Sequence, residues 1–139
     1  MDFRILDDGD LAVLDRVADE VFDEPVDPRW WAEFLADTRH YLAVALDAGE
    51  VVGFASAVCY VHPDKRPQLF INEVGVAPSH QRRGAGRRLL ELLLDKGRSL
   101  GCSEAWVLTD EENAAARGAY ASAGGEETRG VVMVTFPLS

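Results

Sequence analysis

Apolar residues recur along the chain in two rhythms, one close to every second position and one close to every third or fourth. Alternating or continuous apolar runs predict strands at "FRIL" (3–6), at "LFINEVGVA", at "EAWVLTD" (104–110) and at "GVVMVTFPL" near the end. The stretch "HYLAVALDAGEVVGFASAVCYV" reads as two strands joined at Asp47–Gly49, a hairpin signal. Helical spacing appears in "DGDLAVLDRVADEVF", with Leu11, Leu14, Val17, Ala18 and Val21 on one face, before Pro25 and Pro28 break it. A second helix is predicted in "DPRWWAEFLADTRH", with Asp27 as N-cap and Pro28 at its first position. A third runs from about residue 81 to 100 and stops before Gly101, a suitable residue just past a helix end. "NAAARGAYASAG" is a short fourth helix closed by Gly124. The predicted order is β α α β β β α β α β. Its strand–helix–strand unit implies a mixed sheet with a parallel pair at residues 69–76 and 104–110.

Composition narrows the function classes. The 139 residues suit a single domain, 1–139, with one core. Lysine and arginine number 14 against 24 aspartates and glutamates, a formal charge of −10. Such a chain repels nucleic acid and anionic membranes as a whole and attracts cations. The start, "MDFRILDDGD", has neither a basic nor an apolar leader region, so a cytoplasmic protein is expected. Cys59 and Cys102 are too few for a disulfide framework, and neither they nor His40, His62 and His80 show metal-ligand spacing. No metal is expected.

Against this acidic background, Arg82, Arg83, Arg87 and Arg88 gather where a strand gives way to the leucine-rich helix, around Gly84 and Gly86. A helix N-terminus leaves backbone N–H groups unpaired and carries partial positive charge. Glycines keep side chains out of the way, and arginines add forked donors, so the junction suits a phosphate or pyrophosphate. An ordinary turn with a basic, solvated face is the plainer reading. Neither a Walker loop nor the dinucleotide fingerprint fits, because no Gly-Lys-Ser/Thr follows and Leu89 stands where that fingerprint needs glycine.

The run Gln81-Arg82-Arg83-Gly84-Ala85-Gly86 resembles the Q/R-x-x-G-x-G/A pattern of the GNAT superfamily of N-acetyltransferases, and "NEVGVAPSH" before it is similar too. Asn113, Ala116, Tyr120 and Gly124 match that superfamily's N-x-x-A-x-x-x-Y-x-x-x-G signature. The resemblance implies a mixed α/β fold: a largely antiparallel sheet with a central parallel strand pair, flanked by about four helices. It implies acetyl-coenzyme A as co-substrate. Gln81, Arg82, Arg83, Gly84, Ala85, Gly86 and Arg87 would hold its pyrophosphate, and the backbone at Val74, Gly75 and Val76 would pair with its pantetheine arm. Arg88 is left to solvent. Asn113 serves equally as a helix cap or a cofactor contact.

Glu73 lies in an otherwise apolar strand, where a carboxylate is costly unless it is paired or faces a cleft. Strand alternation puts Leu69, Ile71 and Glu73 on one face and Asn72, Val74 and Val76 on the other. Glu73 is therefore the candidate general base, directly or through water, or else a charge at a splayed strand end. By resemblance Tyr120 is the general acid for the departing thiolate; core packing is its alternative role. Of Trp30 and Trp31, only one can face inward from a single helix, leaving the other for an acceptor cleft or an interface.

Within the superfamily, "INEVGVAPSHQRRGAGRRLLELLL" and "TDEENAAARGAY" are most similar to the short aminoglycoside 3-N-acetyltransferases. That resemblance implies an aminoglycoside acceptor bound by Glu73, Asp110, Glu111 and Glu112, acetylated at a 3-N position by direct transfer in a ternary complex, and a homodimer. Polyamines, an amino acid, a protein N-terminus or a lysine remain alternative acceptors. A non-catalytic module that binds coenzyme A is the third reading.

Overall fold

The computed structural model describes residues 1–139. Its five strands are β1 (Asp2–Ile5), β2 (His40–Asp47), β3 (Glu50–Tyr60), β4 (Gln68–Val76) and β5 (Ala105–Val107), and its α-helices are α1 (Pro28–Ala36), α2 (Ala85–Ser99) and α3 (Ala114–Ser122). They form one sheet in the order β1-β2-β3-β4-β5. Neighbours are antiparallel except β4 and β5, which are parallel. The parallel pair therefore lies at one edge of the sheet and not at its centre, and three helices stand where about four were expected.

Local chemistry explains the elements that match expectation. Asp27 accepts a hydrogen bond from the Arg29 N–H at 2.9 Å and so caps α1 behind Pro28. Ala85, Leu89, Leu93 and Gly97 recur every fourth residue and form the buried stripe of α2. Beyond α2, the Cys102 N–H bonds the Gly97 carbonyl and the Gly101 N–H bonds that of Arg98, a Schellman closure made at a left-handed glycine. The stripe lies on a sheet face of small residues: Ala43, Ala45, Ala55 and Ala57 are all buried.

Two expected elements differ. The helix over residues 8–22 is reduced to a single 3₁₀ turn, Leu11–Asp15. The carboxylate of Asp10, at the capping position, is taken by the Asp7 N–H and by Arg4. Past Asp15, the backbone of Arg16 and Ala18 bonds Val51 instead of its own next turn, so tertiary pairing overrides local spacing. The final strand is also absent: residues 125–139 form no regular element. No helix is long and apolar enough to cross a membrane.

Candidate active site

Strand β4 organises the site. Its β3 edge is paired from Gln68 to Val76, whereas its β5 edge is paired only at Leu69, Phe70 and Ile71. From Asn72 onward the second edge of β4 is open. At the end of that edge the chain enters the arginine loop. Arg82 and Gly84 both adopt left-handed backbone conformations, with φ of 63° and 78°. No backbone N–H from Arg82 to Arg87 donates to another protein group, and the first turn of α2 has no side-chain cap. A Cβ placed on Gly84 would meet nothing within 4 Å. The result is a row of uncommitted donors with open space in front, the arrangement that receives anions at helix N-termini.

Side chains around the loop divide their work. Gln81 turns back, its amide donating to the Val76 carbonyl at 3.0 Å, and so ties the loop to the end of β4. His80 Nε2 contacts Asp47 Oδ2 at 2.7 Å, which fastens the loop to the β2–β3 turn and holds the Asp47 carboxyl below its usual range. Arg87 is paired along the helix with Glu91 at 2.8 Å, and Arg88 leans on the same carboxylate at 3.7 Å. Arg82 and Arg83 make no ion pair and are exposed; these two are the free cations beside the donors. The Asn113 side chain accepts from the Ala116 N–H at 3.1 Å, the cap of α3.

The opposite face of the sheet carries a pocket of about 330 Å³. Its walls include Phe22, Trp30, Trp31, Phe54 and Ser56, and Glu73 lies in it with Asp23, Glu24 and Asp27. Both tryptophans of α1 contribute, because the pocket reaches past the buried Trp31 to the exposed Trp30. Trp31 is held by its indole N–H, which donates to the Leu11 carbonyl at 2.9 Å.

Glu73 reaches this pocket through a β-bulge. Ser56 partners Glu73 and Ala57 partners Ile71, so Asn72 is an extra residue with no partner on β3. Leu69 lies against Gly97 of α2, and Val76 lies near Gly53 and Leu89 on that same side. Alternation is thus interrupted once: Leu69, Ile71, Val74 and Val76 face α2, while Glu73 and Gly75 face the pocket. This corrects the expectation that Glu73 shares a face with Leu69 and Ile71. Partial burial raises the Glu73 pKa above the usual carboxylate value, and the nearby charge of Asp23 raises it further.

Tyr120 is half-buried on α3, and burial raises its pKa above the usual phenol value, so it stays protonated at neutral pH. Its hydroxyl has no protein partner. It lines a second hollow, a groove of about 980 Å³ along β5 and α3. Asp110 and Glu111 lie on that groove and not in the pocket of Glu73. Glu111 is paired with Arg129 at 2.6 Å, and Glu112 is exposed and lines neither hollow. The carboxylates that the structure gathers with Glu73 are Asp23, Glu24 and Asp27. Residue spacing could not announce them, since they come from an irregular segment about fifty positions away. Asp27 is committed to Arg29, which leaves Asp23 and Glu24 uncommitted.

An open strand edge ending in a glycine–arginine loop, with a carboxylate pocket on the neighbouring sheet face, is the context in which the chain's likeness to known proteins can be read. Residues 10–124 match the model of the acetyltransferase (GNAT) family. The chain belongs to that family. This GNAT chain is 39% identical over 85 residues to the streptothricin acetyltransferase of Streptomyces lavendulae, a stretch that covers 61% of the chain and 43% of the relative. It is 31% identical over 93 residues to the aminoglycoside N(6')-acetyltransferase type 1 of Salmonella typhimurium, covering 64% of each protein. The matched stretches thus span about two fifths to two thirds of the length of these relatives. Its fold follows that of an aminoglycoside acetyltransferase from an uncultured soil metagenomic sample, solved with sisomicin. That likeness has a TM-score of 0.82 and 21% identity, and it covers 99% of this chain and 96% of the other.

Proposed function

We propose that this GNAT domain transfers an acetyl group from acetyl-coenzyme A to an amino group of a small polycation, with an aminoglycoside as the leading acceptor. The observation that carries the reading is the bulge at Asn72, which turns Glu73 into an acidic, aromatic-walled pocket on one face of β4 while the next residues of that strand keep an open edge. The relatives support the substrate class, being acetyltransferases of streptothricin and of aminoglycosides.

The residues divide the chemistry as follows. The free N–H groups of Arg82 to Arg87, with the Arg82 and Arg83 guanidiniums, hold the pyrophosphate. The open edge of β4 at Val74–Val76 pairs with the pantetheine arm as an added strand would, and a backbone N–H there polarises the thioester carbonyl. An acceptor ammonium enters among Asp23, Glu24 and Glu73, with aromatic faces of Trp30 and Phe22 beside it. Glu73 takes one proton, directly or through water, and its raised pKa suits it to that task. The amine nitrogen attacks the thioester carbon, the C–S bond breaks, the thiolate leaves with a proton from Tyr120, and the nitrogen's second proton is lost through solvent to restore the Tyr120 hydroxyl, which leaves one net proton on Glu73. Transfer is direct, without an acyl-enzyme. Cys59 and Cys102 face each other at 3.6 Å away from both hollows, and burial beside Cys59 pushes the Cys102 thiol up to about 11.

The test is acetyl transfer to a panel: an aminoglycoside, a linear polyamine, a free amino acid and a peptide with a free N-terminus. Highest kcat/KM for the aminoglycoside, with strong salt dependence, is the expected result. NMR of the product then reads the nitrogen, 3-N by the motif resemblance or 6' by the Salmonella relative. Equal, low turnover of all four acceptors would overturn the substrate class, and saturable coenzyme binding with no turnover at all would make the domain a binder.

A further inference from the structure

The pocket around Glu73 is small for the acceptor it is assigned. At about 330 Å³ it lies near the lower end of the range for small-molecule sites, roughly 300–1,000 Å³. A multi-ring polycation seated there by one amino-bearing ring leaves its other rings outside. The sheet beside the pocket offers them a surface.

On the pocket face of the sheet, Ser56 pairs with Glu73, and the next pair along is Val58 with Phe70. Phe70 pairs in turn with Trp106 of β5. The two rings pack with centroids 4.5 Å apart, and Trp106 keeps 38% of its surface exposed. α1 packs over β2 and the 3₁₀ turn, and α2 lies on the other face, so no helix is seated on this end of the sheet. The Trp106 indole N–H donates to the Tyr60 hydroxyl at 2.7 Å, and that hydroxyl donates to Gln68 Oε1 at 2.9 Å. Tyr60 and Trp106 stand on strands to either side of β4, about 10 Å apart. The bond between them therefore lays the indole along the sheet, with its polar atom used and a π-face free.

Gln68 passes the chain of hydrogen bonds on, donating to Glu104 at 3.0 Å. Glu104 is exposed, and no cation of the protein pairs with it. Strand alternation puts Glu104 on the same face as Trp106. This face thus reads carboxylate, aromatic rings, carboxylate: Glu73, then Phe70 and Trp106, then Glu104. Such an order matches a rigid polycation. Its ammonium groups meet carboxylates and π-faces, and the C–H faces of the rings between them lie on the aromatic shelf. We propose that Phe70 and Trp106 form a second acceptor subsite, which binds the rings of a multi-ring polycation that the Glu73 pocket leaves outside, with Glu104 as its far carboxylate. Tyr60 is a positioning residue that fixes the indole. The subsite rests on the acceptor reading above and sets a preference for multi-ring over single-ring amines.

Kinetics and ligand NMR test it separately. In Phe70→Leu and in Trp106→Leu, the KM for sisomicin should rise about ten-fold. The KM values for the single-ring diamine 2-deoxystreptamine and for acetyl-coenzyme A should not move. Tyr60→Phe keeps the ring and frees the indole, and should raise the sisomicin KM about three-fold with kcat unchanged. In the wild-type chain, intermolecular NOEs should run from the Trp106 ring protons to sisomicin, a readout that needs no turnover. Unchanged sisomicin KM in both leucine variants overturns the subsite and leaves the acetyl-transfer reading standing. NOEs from Trp106 to sisomicin without acetylation support the subsite and overturn that reading instead. Absence of these NOEs overturns the subsite whether or not sisomicin is acetylated. So do Trp106 contacts to residues 131–138 or to a second copy in place of sisomicin, or equal contacts and equal KM losses with the linear polyamine spermine.

Discussion

The proposed acceptor pocket and the proposed coenzyme loop meet at β4 but are built from different materials. In the loop the working groups are backbone N–H donors between Arg82 and Arg87, exposed by two left-handed residues and an absent side chain at Gly84. In the pocket the working groups are side chains: Glu73 from a bulged strand, Asp23 and Glu24 from an irregular segment, and two tryptophans from α1. A backbone site depends on local conformation and hence on a short motif. A side-chain site depends on where distant segments come to rest, so it can change acceptor without disturbing the loop.

Substitutions on the two sides should therefore fail in different ways. The largest effect belongs to the pocket. Glu73→Gln should lower turnover about 10²- to 10⁴-fold, roughly 2.7 to 5.5 kcal/mol of transition-state stabilisation, with the coenzyme KM unchanged. The same variant has a stability signature. Folding raises the Glu73 pKa, so wild type gains nothing from ionising it. Relative to Glu73→Gln, wild type should hold level below the ordinary carboxylate range and fall behind as pH rises through the raised value. Denaturant midpoints of both proteins between pH 4 and 8 check the sign. Next comes Tyr120→Phe, expected to cost about 10²-fold in turnover with unchanged coenzyme affinity; full activity would leave Tyr120 as a wall of the β5 groove.

Gly75→Ala probes the boundary between the two regions. Its Cβ would stand 2.3 Å from the Val21 carbonyl oxygen and 2.8 Å from the Phe54 ring. Backbone must shift, and the loss of stability should be about 1–3 kcal/mol, read from urea unfolding, with acceptor KM raised more than coenzyme KM. Gly84→Leu attacks the loop alone. Its left-handed backbone costs a branched residue about 1–2 kcal/mol, and the side chain fills the anion's approach. The rise in Tm that acetyl-coenzyme A gives the wild type should vanish in this variant. The smallest effect should come from Asp23→Asn. Removing that charge lowers the Glu73 pKa, so the acid limb of the pH–rate profile should move to lower pH, and the difference should shrink as salt is added.

The same contrast explains what could be read from the chain. The loop, the cap at Asp27, the α2 stripe and the helix stop at Gly101 are local, and each was legible as a spacing of a few residues. Glu73 was legible as an anomaly, a charge in an apolar strand, but its face was not, because alternation has no sign of an inserted residue. Asp23 and Glu24 were illegible: the segment just before them carries helical spacing, yet Val51 claims its backbone at Arg16 and Ala18. The final strand was legible as composition but does not form, since residues 125–139 add no strand to the sheet.

Asn72 makes the pocket a matter of counting. Bulged, it gives the strand one residue more than its β3 partner between Ile71 and Glu73, and the carboxylate points into the pocket. Were Asn72 paired instead of bulged, every later residue would change parity: Glu73 would be driven toward the leucines of α2 and Val74 toward the pocket. Deleting Asn72 would leave Ile71 and Glu73 in plain alternation with their faces unchanged, so the face of Glu73 depends on Asn72 staying out of the ladder. Among relatives, whether this one residue is bulged or paired should separate chains that can use a strand-borne base from chains that cannot, even where every aligned letter agrees.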